Sequence, residues 1–178
     1  MWTIREGRCD EIERLVDLRL AMFDAMGILE DEDKPSVRDD CRAYFAETMP
    51  AGAFRVWVAV SSGADETNTG RETGSGHGET RESDLIASIG LVIHSVPPSP
   101  HNRVGKAGYI MNLVTLPAWR RRGIARALIE HVLGVLRSEG VPIVGLHASN
   151  DGRSLYGRLG FRIRDDLPEM RLSLKRDE

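Results

Sequence analysis

The chain has 178 residues, 41% of them hydrophobic and 29% charged, which marks a globular chain of one domain's size and excludes a disordered or fibrous one. Lys and Arg total 24 against 27 Asp and Glu, a formal net charge of -3. That balance, with a pI near 6.0, disfavours a general nucleic-acid binder, which carries a strong basic surplus. Cys9 and Cys41 are too few for a disulfide framework and lack metal-ligand spacing, so no metal site and a reduced, cytoplasmic compartment are expected. The opening MWTIREGRCDE has no apolar run behind its charges, so no secretory leader is expected, and no stretch approaches eighteen uninterrupted apolar residues, so no membrane span is expected.

In chain order, TIREG (Thr3–Gly7) reads as a first strand. Asp10 and Glu13 make a capping-box pattern before Ile12, Leu15, Val16, Met22, Phe23 and Met26, which recur at helical spacing up to Gly27. EDEDKP (Glu30–Pro35) is an acidic turn. Ser36 is placed to cap a second helix, with Val37, Cys41, Tyr44, Phe45 and Met49 on its apolar face. FRVWVAV (Phe54–Val60) alternates and is β-branched, hence a strand. Residues 61–84 hold no large apolar side chain and are rich in Gly, Ser, Thr and charge, so they are predicted to be a disordered loop that cannot offset its ordering entropy by burial. His77, between two glycines there, is not expected to bind metal. LIASIGLVIHSV (Leu85–Val96) resumes as a strand, so the polar stretch is an enlarged hairpin loop.

After the loop PPSPHNRVGKAG, YIMNLVTL (Tyr109–Leu116) is a mostly apolar strand of interior type. A long helix follows from Gly123 to Ser138, striped by Ile124, Leu128, Val132 and Leu136 with Ile129 and Leu133 beside them, and stopped by Gly140 and Pro142. IVGLHA (Ile143–Ala148) is another buried-type strand, SNDGRSLYGRLG a short helix, and FRIRDD with EMRLSL a closing hairpin. Strand, long helix, strand implies a parallel pair at the centre of a mixed α/β sheet flanked by antiparallel hairpins, in one domain spanning 1–178.

Three adjacent arginines stand at the mouth of the long helix. Pro117 ends the preceding strand, and Arg120, Arg121, Arg122, Gly123, Ile124 and Ala125 follow. A helix N-terminus offers free N–H groups and partial positive charge, and a glycine lets a ligand approach the backbone closely. A turn of this kind can gather those N–H groups around a pyrophosphate. It is not a P-loop, since no GK[ST] follows, and it lacks the G-x-G-x-x-G of dinucleotide sites.

LVTLPAWRRRGIARALIEHVL resembles the central motif of the GNAT superfamily, the acetyl-CoA-dependent N-acetyltransferases: Arg120, Gly123 and Ala125 fill its R/Q-x-x-G-x-G/A pattern. LHASNDGRSLYGRLGF resembles the family's second cofactor motif, through Tyr156, Leu159, Gly160 and Phe161. The resemblance implies a GNAT-like fold whose central parallel strands splay to admit the cofactor, acetyl-CoA as co-substrate, and a small-molecule or peptide amine as acceptor. It places the pantetheine arm along Leu113, Val114 and Thr115 and the pyrophosphate on the amides of Arg121 to Ala125, with Arg120 shaping the turn. The family often has asparagine seven residues before its tyrosine; here Ser149 stands there with Asn150 beside it, and either could touch the cofactor.

The same resemblance makes Tyr156 the proton donor to the departing thiolate. For the general base, the upstream end of the cofactor strand offers Tyr109 and Asn112 but no carboxylate. His147, of a residue type that titrates near neutrality, and a water chain stand as alternatives. Asp31, Glu32 and Asp33 either attract a cationic acceptor or form a solvated turn. A non-catalytic acyl-CoA-binding module of the same fold is the alternative function, no nucleic-acid or membrane partner is expected, and a dimer stays open.

Overall fold

A computed structural model describes residues 1–62, 84–165, 170, 172 and 174. The chain divides into two units, Met1–His147 and Ala148–Glu178. The first carries β1 (Trp2–Glu6), α1 (Ile12–Met26), α2 (Lys34–Thr48), β2 (Arg55–Ser61), β3 (Leu85–Ser95), β4 (Lys106–Thr115), α3 (Ile124–Ser138) and β5 (Ile143–Leu146), with single 3-10 turns at Cys9–Glu11 and Pro117–Trp119. The second carries α4 (Arg153–Arg158). The predicted elements stand within a few residues of these bounds, apart from the closing hairpin.

The five strands lie in the order β1-β2-β3-β4-β5. The first four are antiparallel, and β4 and β5 are parallel, joined by α3. Successive residues of a strand face opposite sides of a sheet. Val56, Val58 and Val60 of β2 join Leu15, Val16, Leu18 and Phe45 in one core beneath α1 and α2. Trp57 faces the other side, where its ring lies 5.9 Å from that of His131 on α3. On α3 the stripe Ile124, Leu128, Ile129, Val132 and Leu136 is buried. Each such side chain is worth roughly 1.5–3 kcal/mol relative to exposure, more than enough to outweigh the roughly 1 kcal/mol that Gly134 costs inside a helix.

Four expectations are corrected. The capping carboxylate is Glu11, which closes the 3-10 turn Cys9–Glu11 ahead of α1: it accepts the Arg8 backbone N–H at 3.0 Å and the N–H groups of both terminal Arg5 guanidinium nitrogens at 2.8 and 2.5 Å. Glu13 instead pairs with Arg42 of α2. The hydrogen bond from Arg5 is the main reason the buried Glu11 carboxyl is held below its ordinary pKa. Second, α2 begins before Ser36, at Lys34 and Pro35, and the Ser36 hydroxyl donates to the Asp33 carbonyl. Third, Met26 and Tyr44 are exposed and Leu18 and Leu20 are buried, while the rest of the two assigned faces lies in or against the core. Fourth, Phe161–Arg164 carry no strand, and the rest of the predicted hairpin lies largely outside the described residues. The expected parallel pair is present as β4 and β5, with β5 last in the strand order among the described residues.

The predicted loop 61–84 lies, apart from its ends, outside the described residues, and so does His77. Its ends are close: Val60 stands opposite Leu85, and the Ser61 N–H donates to the Asp84 carbonyl at 2.9 Å. Replacing 63–83 with about four Gly and Ser residues is expected to leave the melting temperature unchanged or raise it, since shorter closure recovers about 1.5 kcal/mol of loop entropy at most. A steep fall in thermal unfolding would show the segment to be packed. No helix among the described residues is long and apolar enough to cross a membrane.

Candidate active site

β4 is the strand on which the site is built. Its pairing with β5 runs only from Ala107 opposite Ile143 to Ile110 opposite Leu146. Five residues of β4, Met111–Thr115, continue beyond the last paired position. The pairing with β3 slips there too: Ser88 is opposite Val114 and Gly90 opposite Met111, so β4 carries one extra residue. That residue set includes Asn112 at φ 54, a left-handed conformation asparagine tolerates. A bulge of this kind bends its strand and increases the twist, just past the point where the β4–β5 ladder ends.

Beyond Ile110, β4 has no β-ladder partner on the β5 side among the described residues. The Leu116 N–H donates to the Ile86 carbonyl at 2.9 Å, so by antiparallel alternation Leu113 and Thr115 turn their backbone groups away from β3. Val114 faces Ser88 and its side chain is in the core. The Thr115 hydroxyl is buried and has no hydrogen-bond partner. A buried orphan hydroxyl costs about 1–3 kcal/mol and is a common mark of a site completed by a ligand.

Past the 3-10 turn, the arginine run divides its labour. Arg120 Nε donates to the Thr115 carbonyl at 3.2 Å and ties the turn to the end of β4. The Arg122 guanidinium lies 4.8 Å from the centroid of the Trp119 ring, a cation–π contact. Arg121 is exposed and takes φ 61, and Gly123, the residue before α3, takes φ 80. The first helical hydrogen bond is Ala127 N–H to Gly123 carbonyl at 3.0 Å, so the N–H groups of Ile124, Ala125 and Arg126 have no partner within the helix. Left-handed residues in a tight turn point successive N–H groups into one concavity, which suits an anion. A Cβ built on Gly123 meets no atom within 4 Å. Glycine is therefore required by the backbone angle, and the space in front of it is open.

Tyr109 precedes the bulge on β4, opposite Gly145 of β5, and its hydroxyl is hydrogen-bonded to His147 Nδ1 just beyond β5. The two rings are 5.7 Å apart and tilted. The phenol and the imidazole thus lie on the same face where the strands part.

In the second unit, Ser149 Oγ accepts the Gly152 N–H at 3.3 Å, and its carbonyl accepts those of Gly152 and Arg153 at 3.1 and 3.2 Å. Ser149 is thus committed to starting α4, and Asn150 beside it is exposed. Tyr156 is half-buried, with its ring edge-on to Phe161 at 5.8 Å. The Phe161 N–H returns to the Tyr156 carbonyl at 3.1 Å through Gly160 at φ 91. Burial pushes the Tyr156 phenol above its ordinary pKa.

Two features of this region are not legible locally: the bulge at Asn112, noted above only as a polar group of the cofactor strand, and the place of Arg19. Asn112 was available as a turn-type residue interrupting an apolar strand. Arg19 of α1 hydrogen-bonds Asn112 Oδ1. Its signal was an i+4 place between Leu15 and Phe23, a charge set on the apolar stripe.

A parallel pair whose ladder ends ahead of a glycine turn and a helix N-terminus is an arrangement that can seat a phosphorylated co-substrate. The model of the acetyltransferase (GNAT) family matches residues 71–161, and the chain belongs to that family. It is similar to a GCN5-related N-acetyltransferase from Ralstonia eutropha JMP134, with 25% identity, a TM-score of 0.75, and 96% of this chain and 98% of that one covered. It is also similar to a predicted acetyltransferase from Clostridium acetobutylicum whose crystal structure is with acetyl-CoA: 24% identity, TM-score 0.75, 96% of each chain. An aminoglycoside acetyltransferase from an uncultured soil metagenomic sample shares the fold at 17% identity and a TM-score of 0.65, over 97% of this chain and 99% of that one. No curated protein matches the sequence.

Proposed function

We propose that residues 1–178 form one N-acetyltransferase domain that moves the acetyl group of acetyl-CoA to a primary amine. The observation carrying this reading is the run from Leu113 to Ala125: an open strand edge with an orphan Thr115 hydroxyl, then an amide cradle at φ 61 and φ 80. Leu113 and Thr115 offer the edge to the pantetheine arm, with Val114 between them turned to Ser88 of β3, and the amides from Arg121 to Ala125, Gly123 and Ile124 included, hold the pyrophosphate. Arg120 braces the turn through the Thr115 carbonyl. Arg122, stacked on Trp119, and Arg121 supply positive field. Asn150 takes the second-motif contact, since Ser149 is committed to α4.

Bound acetyl-CoA supplies an activated thioester. Tyr156 keeps its proton because burial raises its pKa and donates it to the departing thiolate. His147, held at Nδ1 by Tyr109, takes up the proton that the attacking amine loses. The C–N bond forms as the C–S bond breaks, and one proton moves at each end.

The test pairs calorimetric binding of acetyl-CoA with thiol release across a panel of primary amines, secondary amines and alcohols. Acetyl-CoA is expected to bind, to raise the melting temperature by mass action, and to release thiol fastest with a primary amine. Release with alcohols alone would overturn the amine assignment.

A further inference from the structure

The acceptor's amine is one part of a molecule, and the structure carries a place for another part. An open crevice lies between α1, α2 and the strands, lined by Arg19, Ser88 and Asn112 with apolar walls that include Phe45 and Phe54; its enclosed room is about 10 Å3, a single water's worth. A whole ligand needs roughly 300–1,000 Å3, so the crevice can meet only a small terminal group, at the half-buried Arg19 and Asn112. It abuts the bulge of β4, since Asn112 immediately precedes Leu113, the first residue of the proposed cofactor edge.

Its charge is unbalanced. Among the described residues, the other cations of α1 and α2 all have carboxylate partners: Arg14 with Asp84, Lys34 with Asp24 and Asp31, Arg38 with Asp17, Arg42 with Glu13 and Asp39. Arg19 has the neutral Asn112 amide oxygen and the Phe23 ring, 4.6 Å from its guanidinium carbon. No acidic side chain lines the pocket. The acidic turn considered above as an attractor for a cationic acceptor is partly neutralised, with Asp31 on Lys34 at 2.7 Å.

The pocket's polar groups are donors. A guanidinium, the NH2 of an amide whose oxygen is already engaged, and a hydroxyl together match an anion's oxygens. One planar guanidinium against apolar walls fits a carboxylate bound through two parallel N–H···O bonds. A phosphate dianion would leave charge uncompensated, because the pocket holds a single cation. Accepting the transferase reading above, we infer that the acceptor is an amino acid or a similar carboxylate-bearing amine, with its carboxylate held by Arg19, Asn112 and Ser88.

Thiol release is measured for the free amino acids, their carboxamides, the matching decarboxylated amines, and an amine bearing a phosphate monoester in the carboxylate's place. The best free amino acid is expected to exceed its carboxamide by about tenfold to a hundredfold in kcat/KM, the range for a charged hydrogen-bonding partner. Arg19→Gln is expected to erase that ratio with acetyl-CoA affinity unchanged, and Arg19→Lys, which keeps charge without the fork, to retain part of it. Calorimetry with the N-acetyl amino acid and its carboxamide gives the same comparison without turnover. Carboxamides or decarboxylated amines accepted equally well, a phosphate ester preferred, or a ratio untouched by both Arg19 variants would overturn the inference. Acetyl-CoA failing to bind at all would instead remove the transferase reading on which it rests.

Discussion

Tyr156→Phe is expected to lower turnover between about tenfold and ten-thousandfold, nearer the lower figure, with acetyl-CoA affinity almost unchanged. The substitution removes one oxygen and keeps the ring, which lies edge-on to Phe161 and covers Gly152, where a Cβ would come within 2.8 Å of Tyr156 Cε2. Packing therefore survives and the effect falls on chemistry. A CoA thiolate is a fair leaving group, so assistance to its departure matters most for poorly activated amines. Burial raises the phenol's pKa, so the protonated donor persists to higher pH than a solvent-exposed tyrosine would allow. The wild-type rate should fall only as pH rises through that raised value, and this alkaline limb should be missing from the variant. Steady-state pH profiles of both proteins, with calorimetry for acetyl-CoA, decide the matter. Equal turnover would make Tyr156 a packing residue.

Gly123→Ala should weaken acetyl-CoA binding about a hundredfold or more. Two effects act. A residue with a Cβ at φ 80 is strained by about 1 kcal/mol, which in a chain of this size lowers the melting temperature by about 2–4 °C. The new methyl also enters the space in front of the helix N-terminus, where no protein atom lies within 4 Å. Gly140→Ala separates the two effects. Gly140, at φ 67 and also with nothing within 4 Å of its Cβ position, lies at the opposite end of α3. That variant should show the same loss of stability and bind acetyl-CoA as wild type does. Equal binding by both variants would remove the cradle assignment.

Periodicity alone located α3, β2 and β3. A stripe at Ile124, Leu128, Val132 and Leu136, or an alternating β-branched run, is a local property that burial then rewards. The strand–turn–helix motif was equally legible, because the αL turn demands glycine at position 123 and a helix start there is written in neighbouring residues. The α1 cap was misread for the opposite reason. The capping box forms one turn earlier, between Arg8 and Glu11 of the 3-10 turn, because Glu11 also meets Arg5 on β1 and Glu13 is drawn to Arg42, 29 residues away.

The decisive parts of the site are relations between strands and helices that no local pattern records. The bulge at Asn112 exists as a slip in register between β3 and β4. The pairing of Tyr109 with His147 depends on β5 stopping four pairs into its ladder with β4. Arg19 meets Asn112 across 93 residues, so an arginine on an apolar stripe gains its meaning only from the strand packed opposite it. Residue types and periods settle which elements form. Register and packing settle which side chains share a pocket, because they bring together groups that stand far apart along the chain.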